Sequence, residues 1–220
     1  MIPPRTEQQT EKQEGLKRLK EEEGECACER VLRGRHSVVR VQNGKVVKVF
    51  PPSLTLNFWK EVKYLLMLQP LGFVPKIYRF DLENLEIEME IIKGVSIAEL
   101  LKVGSREEVL EVLEKCMDIC FKLDKMGIQK CEMNHPDKHI IVSHSRSELR
   151  PIFIDFERAY DTKHPKNVTQ FAVYIANRVE FLNLRENLTS FIELFREYKR
   201  KYSYDAYISI KKKIFGMGER

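Results

Sequence analysis

The stretch VVRVQNGKVVKVF, residues 38–50, decides how the rest of the chain is read. Two β-branched runs flank Asn43-Gly44. A two-residue turn of that composition is the strongest short hairpin signal, because both turn residues must adopt φ > 0. With such a turn, Val41 faces Val46 and Val39 faces Lys48 across the pair. Side chains alternate along a strand, so Lys48 shares a face with Val46 and Phe50. An ammonium on an apolar face is costly without an anionic partner, and a carboxylate or a phosphate would supply one. A solvated strand face carrying Lys48 is the other reading.

Working outward, Pro51-Pro52 ends the second strand. Phe58, Val62, Leu65 and Leu68 then recur at helical spacing over about residues 54–68, and Pro70 and Gly72 close that helix. Glu61 falls on the stripe of Phe58, Leu65 and Leu68, which places a carboxylate among inward-facing apolar residues, one element away from Lys48. Strands are expected at 76–80 and 85–91. In the second, Leu85, Ile87, Met89 and Ile91 alternate with Glu86, Glu88 and Glu90, and Lys93-Gly94 breaks it. Ahead of the hairpin, the small residues Gly34 and Ser37 would let backbone amides approach an anion closely.

Beyond Gly94 the pattern turns mainly helical. Val109, Val112, Leu113, Cys116, Ile119, Cys120 and Leu123 mark an amphipathic helix over 107–126, ended by Gly127. A polar loop containing Glu132 leads to the strand Ile140-Ile141-Val142. The apolar run Pro151–Ile154 ends in Asp155. A carboxylate at the end of a buried strand suits Mg²⁺, which takes one or two carboxylates together with substrate phosphates. Glu132 could accept a proton from a hydroxyl, and an ordinary loop glutamate is the other reading. Helices are expected near 168–182 and 188–202, with a basic tail beyond. The organisation is therefore α+β and two-lobed: a polar arm at 1–28, a small antiparallel lobe with one helix at 29–93, and a mainly helical lobe at 94–220.

Composition is compatible with a packed core. The chain has 220 residues, 43% of them hydrophobic and 32% charged, which excludes general disorder and a disulfide miniprotein. No run of about 18 apolar residues exists, so no membrane partner and a cytoplasmic location are expected. Five cysteines, with Cys26 and Cys28 in a C-x-C pair and Cys116 and Cys120 four apart, do not match zinc spacing and read as reduced thiols. The formal charge of +5 is uneven, with the basic excess collected near the C-terminus at Lys199, Arg200, Lys201, Lys211, Lys212 and Lys213. That stretch reads either as a contact for RNA phosphates or as a solvated helix face.

In this order and spacing, residues 30–180 resemble the protein-kinase-like fold. The resemblance is to its compact members: RIO-like kinases, the small kinase of the KEOPS complex, and compact archaeal predicted Ser/Thr protein kinases. Leu32–Val39 resembles the glycine-rich loop G-x-G-x-x-G-x-V, keeping Gly34 and Val39, with Ser37 in place of a glycine. Val46-Val47-Lys48 resembles V-A-I-K, and Glu61 resembles the helix glutamate that pairs with the lysine. Met89-Glu90-Ile91-Ile92 resembles the hinge, whose backbone at Glu90 and Ile92 would meet adenine. Asp155-Phe156-Glu157 resembles D-F-G with Glu in third place. The resemblance implies ATP and Mg²⁺ as ligands, with Asp155 on the metal.

The catalytic loop departs from the pattern. H-R-D falls on Lys130-Cys131-Glu132, so the catalytic carboxylate becomes Glu132. The second metal ligand, an Asn in the family, falls on Asp137 when counted from the loop and on His139 when counted back from the strand. The longer loop, giving His139, is the reading adopted here. By resemblance the chain transfers the γ-phosphate of Mg-ATP to a Ser or Thr hydroxyl of a protein partner. A small-molecule kinase, a pseudokinase acting as an interaction module, and a RIO-like ATPase working on RNA or ribosomes are the competing readings.

Overall fold

The structure, a computed structural model, describes residues 30–33, 37–145, 148–184 and 189–216. The expected polar arm at 1–28 and Gly34 of the expected glycine-rich loop lie outside the described residues.

Asn43 and Gly44 take φ of 50° and 71°, the left-handed pair that the turn requires. The hairpin they join consists of β2 (Val38–Gln42) and β3 (Lys45–Val49). Its register pairs Val39 with Lys48 and Val41 with Val46. Together with β1 (Arg30–Arg33), β4 (Ile77–Asp81) and β5 (Glu86–Glu90) it forms an antiparallel sheet in the order β1-β2-β3-β5-β4. Lys48 faces Ile87 and Val46 faces Met89 across β3 and β5. Directly opposed residues share a face, so Val39, Val46, Lys48, Ile87 and Met89 line one side of the sheet. Helix α1 (Thr55–Leu68) buries Phe58, Glu61, Val62, Tyr64, Leu65 and Leu68.

The second lobe starts with β6 (Val95–Ser96), α2 (Ile97–Val103) and α3 (Arg106–Lys125). Ser96 with Glu99 and Ser105 with Glu108 form reciprocal capping boxes that satisfy the first N–H groups of α2 and α3. Short strands β7 (Ile128–Gln129) and β10 (Tyr160–Asp161) pair with each other. Strands β8 (Ile140–Ser145) and β9 (Glu148–Phe153) form a hairpin with β6 on its edge. Three helices follow: α4 (Asn167–Arg178), α5 (Ile192–Lys201) and α6 (Tyr204–Phe215). The last is a packed helix in the stretch expected as a basic helix or tail. Ala206, Tyr207, Ile210 and Ile214 bury one face of α6, while Lys211 Nζ bonds Asp118 of α3 at 2.9 and 3.0 Å. The apolar period in this stretch was outweighed, in the sequence, by its lysines.

Several contacts fix one lobe against the other. The Phe153 N–H donates to Phe73 O at 2.8 Å, and Arg150 Nη2 donates to Gly72 O at 3.0 Å. At Gly94, an added Cβ would come within 2.2 Å of Val142 O, so the connector lies flush on β8 where only glycine fits. Among the described residues, no helix is long and apolar enough to cross a membrane.

Candidate active site

Charged side chains from both lobes gather at one place. Lys48, only 7% exposed, projects from β3. Its Nζ lies 3.0 Å from Asp155 Oδ1, 3.1 Å from Glu157 Oε2 and 3.5 Å from Glu61 Oε1. Burial alone would lower the pKa of this lysine, but Glu61, Asp155 and Glu157 outweigh it and hold the ammonium above its usual range. Glu61 is itself pushed up by burial, against the pull of Lys48. Its Oε2 accepts the Phe156 N–H at 2.6 Å, which joins α1 to the residue after Asp155. That bond needs an acceptor and supports the ionised form.

Asp155 and Glu132 both sit in the left-handed region, with φ of 65° and 68°. Such conformations in non-glycine residues are strained and persist where their surroundings over-determine them. His139 lies between the two carboxylates. Its Nε2 is 2.8 Å from Glu132 Oε2, and its Nδ1 is 3.6 Å from Asp155 Oδ2. The Nδ1 separation is too long for a hydrogen bond. Burial, followed by Lys130, lowers the pKa of His139 and favours the neutral imidazole. Asp155 is raised by burial, yet Lys48 and Lys130 prevail and hold it below the usual carboxylate range.

The loop is held from beneath. Asp124, at the end of α3, accepts the Asn167 N–H at 3.0 Å, its Nδ2 at 2.6 Å and the Tyr198 hydroxyl at 2.8 Å. Asn167 Oδ1 in turn accepts the Lys130 N–H at 2.9 Å.

Of the residues expected from sequence, Lys48, Glu61, Glu132, His139 and Asp155 come together. Val39, Val46 and Met89 lie on the same sheet face as Lys48. Glu90 and Ile92 run through the connector, and the Glu90 N–H is committed to Lys76 O at 2.8 Å. Ser37 immediately precedes β2 and is half-buried. Asp137 is turned elsewhere, its oxygens bonded by the Tyr174 hydroxyl at 2.8 Å and by Arg178 Nη2 at 2.6 Å. Sequence reasoning gave no role to Lys130, Glu157 or Arg158. Lys130 is 1% exposed, and its Nζ donates to Asp155 O at 2.8 Å. No periodicity marks it, since it follows a two-residue strand.

The donor set suits a hard divalent cation shared with a ligand. Among the described residues, no group of three or more His, Cys, Asp or Glu side chains is arranged to hold a metal by itself. Mg²⁺ ordinarily takes one or two carboxylates and completes its shell with phosphates and water. Asp155 supplies such a carboxylate; His139 beside it offers an imidazole nitrogen, a softer donor than Mg²⁺ ordinarily takes.

No protein-family model matches the chain. Among curated proteins, uncharacterized protein MJ1211 of Methanocaldococcus jannaschii is 28% identical over 118 residues, 52% of this chain and 97% of its own length. Among solved structures, the Rio2 kinase from Chaetomium thermophilum matches with a TM-score of 0.53 at 16% identity, covering 86% of this chain and 63% of that one. The ADP/Mg²⁺-phosphoaspartate complex of that kinase gives 0.55 at 16% identity, covering 86% and 61%. The bifunctional kinase-methyltransferase WbdD gives 0.56 at 18% identity, covering 81% and 42%. The chain therefore spans less than two thirds of these solved chains. Its fold is protein-kinase-like, an α+β architecture with an antiparallel sheet followed by helices. Within that class it is related in fold to the RIO kinases.

Proposed function

We propose that the protein is an ATP-dependent phosphotransferase, acting on a Ser or Thr hydroxyl of a protein. The observation that carries this reading is the meeting of Lys48, Glu61 and Asp155 in the cleft, with Glu132 reached through His139. In this reading adenine lies against Val39, Val46 and Met89, and contacts the carbonyl of Glu90 and the N–H of Ile92. Ser37 lies over the phosphates. Lys48, steadied by Glu61, pairs with phosphate oxygens. Asp155, with His139, holds Mg²⁺, which when bound neutralises charge on the phosphates. Asp137 is left out of the metal set because Tyr174 and Arg178 occupy its carboxylate. Glu132 orients the acceptor hydroxyl and takes its proton. Phosphoryl transfer needs mainly placement and charge stabilisation, so this set is chemically sufficient.

Incubation with Mg-ATP should add one phosphate to an acceptor protein or to the chain itself. Glu132→Gln should abolish that addition and leave ATP binding intact. Turnover unchanged in Glu132→Gln would reject the assignment.

A second reading is ATP hydrolysis without a protein acceptor. It has support in the fold neighbour solved as a phosphoaspartate complex, and in the two cleft carboxylates of this chain. Free phosphate released without stable phosphoprotein would favour it. An RNA contact through the C-terminal lysines belongs to that reading. Salt-sensitive RNA binding lost on neutralising Lys212 and Lys213 would support it, whereas Lys211 is already paired with Asp118.

A further inference from the structure

Lys130, Cys131 and Glu132, which stand where the resembled pattern has H-R-D, all contact one short segment, residues 155–158. Lys130 Nζ donates to Asp155 O at 2.8 Å and lies 4.7 Å from the centroid of the Phe156 ring. The Cys131 thiol donates to Arg158 O at 3.0 Å. Arg158 Nη1 donates to Glu132 Oε1 at 2.5 Å. The antiparallel pairing of β7 with β10 runs the two stretches side by side, and these side-chain contacts tie them together.

We propose that these contacts form a single latch between the catalytic loop and the Asp155 segment, in which Arg158 is the positioning residue for Glu132. Glutamate carries one more methylene than aspartate and so has an extra torsion to fix. Here Arg158 donates to Oε1, and His139 Nε2 lies 2.8 Å from Oε2, which limits that freedom. An ionised carboxylate has about four lone-pair sites, so both oxygens retain capacity for a substrate hydroxyl. The latch also joins two residues with left-handed backbones, Glu132 and Asp155, and supplies the surrounding constraint that such conformations require. Cys131 and Lys130 add the backbone half of the clamp, fixing the carbonyls at both ends of the segment. The Arg158 side chain is 53% exposed, so the place it fills is open to a small cation from solvent.

The role of Arg158 rests on the phosphotransferase reading of Glu132, and the test separates the two claims. Arg158→Ala should lower kcat on the order of 100-fold, the scale of a misplaced catalytic group, while KM for ATP stays within about threefold. Guanidine hydrochloride at millimolar concentration should restore much of that kcat in Arg158→Ala, and none in Glu132→Gln. A residue serving only to hold the fold together would not be replaced by a free guanidinium. Independently of turnover, iodoacetamide should modify Cys131 several times faster in Arg158→Ala and Lys130→Met than in the unsubstituted chain, read by peptide mass. Unchanged kcat in Arg158→Ala, or loss without guanidine rescue, overturns the positioning role. An unchanged Cys131 rate in both variants overturns the latch. Failure of the unsubstituted chain to bind Mg-ATP overturns the phosphotransferase reading, and the role of Arg158 with it.

Discussion

Lys48 Nζ lies 3.0 Å from Asp155 Oδ1, across 107 positions of sequence and from one lobe to the other. Each residue is arranged by its own lobe: Lys48 by the hairpin register, and Asp155 by the end of β9 with Lys130 on its carbonyl. Glu61 completes the bridge, since one oxygen faces Lys48 and the other takes the Phe156 N–H. The relative placement of sheet, α1 and second lobe is therefore read out at one ammonium.

A first prediction concerns acid. Lys48 and Lys130 outweigh burial and depress Asp155. A carboxylate with a depressed folded-state pKa contributes stability above its unfolded value of about 4, and that contribution disappears as pH falls through the depressed value. The urea midpoint should therefore fall more steeply between pH 7 and pH 3 in the unsubstituted chain than in Asp155→Asn. Equal slopes would show that the Lys48–Asp155 pair carries no linkage.

Lys130 should separate stability from activity. Burial pushes its pKa down, so its charge is held in an unfavourable place. Replacing it with methionine of similar length relieves that desolvation but leaves Asp155 O without its donor. These effects oppose each other, and the net change should stay within about 1 kcal/mol by chemical denaturation. Phosphotransfer, by contrast, should fall at least tenfold as Asp155 loses its restraint. Equal loss of both would make Lys130 a purely structural residue.

Asp137 and His139 should behave oppositely. Asp137→Asn weakens bonds to Tyr174 and Arg178 and should cost about 1 kcal/mol of stability, with little effect on Mg²⁺-dependent nucleotide affinity. His139→Ala should reduce that affinity with little effect on stability. Calorimetric titration of a non-hydrolysable ATP analogue, with and without Mg²⁺, distinguishes them. The reverse pattern would return the metal role to Asp137.

The hinge prediction is steric. In Gly94→Ala the new Cβ must displace the connector from Val142 O, 2.2 Å away. Overpacking of this kind typically costs about 1–3 kcal/mol. Because Glu90 and Ile92 lie on the same connector, nucleotide affinity should fall with stability. A variant as stable as the parent would show that the connector has room.

Where the chain could be read directly, local chemistry was the reason. Asn43-Gly44 admits one turn type, and the period of two then places Lys48 on the apolar face without ambiguity. Glu61 is visible because a carboxylate interrupts an otherwise apolar helical stripe. Lys130 and Arg158 were not legible, since their roles arise from contacts between the loop at 130–132 and the segment at 155–158. A lysine that folds inward looks, in sequence, like one that faces water. Asp137 shows the same limit. Counted from the loop it occupies the metal-ligand position, and only the packing of α4 reveals Tyr174 and Arg178 waiting for it. Residues 204–215 read as a basic tail or a solvated helix face because their lysines obscured a one-sided apolar pattern that α3 completes.

The most direct test is thermal unfolding with a non-hydrolysable ATP analogue and Mg²⁺. A ligand at about 100 times its Kd stabilises the native state by roughly 2.7 kcal/mol, which for a chain of this size raises Tm by about 5–10 °C. The unsubstituted protein should show that rise, and Lys48→Met and Asp155→Asn should lose most of it. A Tm indifferent to the nucleotide in the unsubstituted protein, or raised equally in both variants, would contradict an ATP site at Lys48 and Asp155.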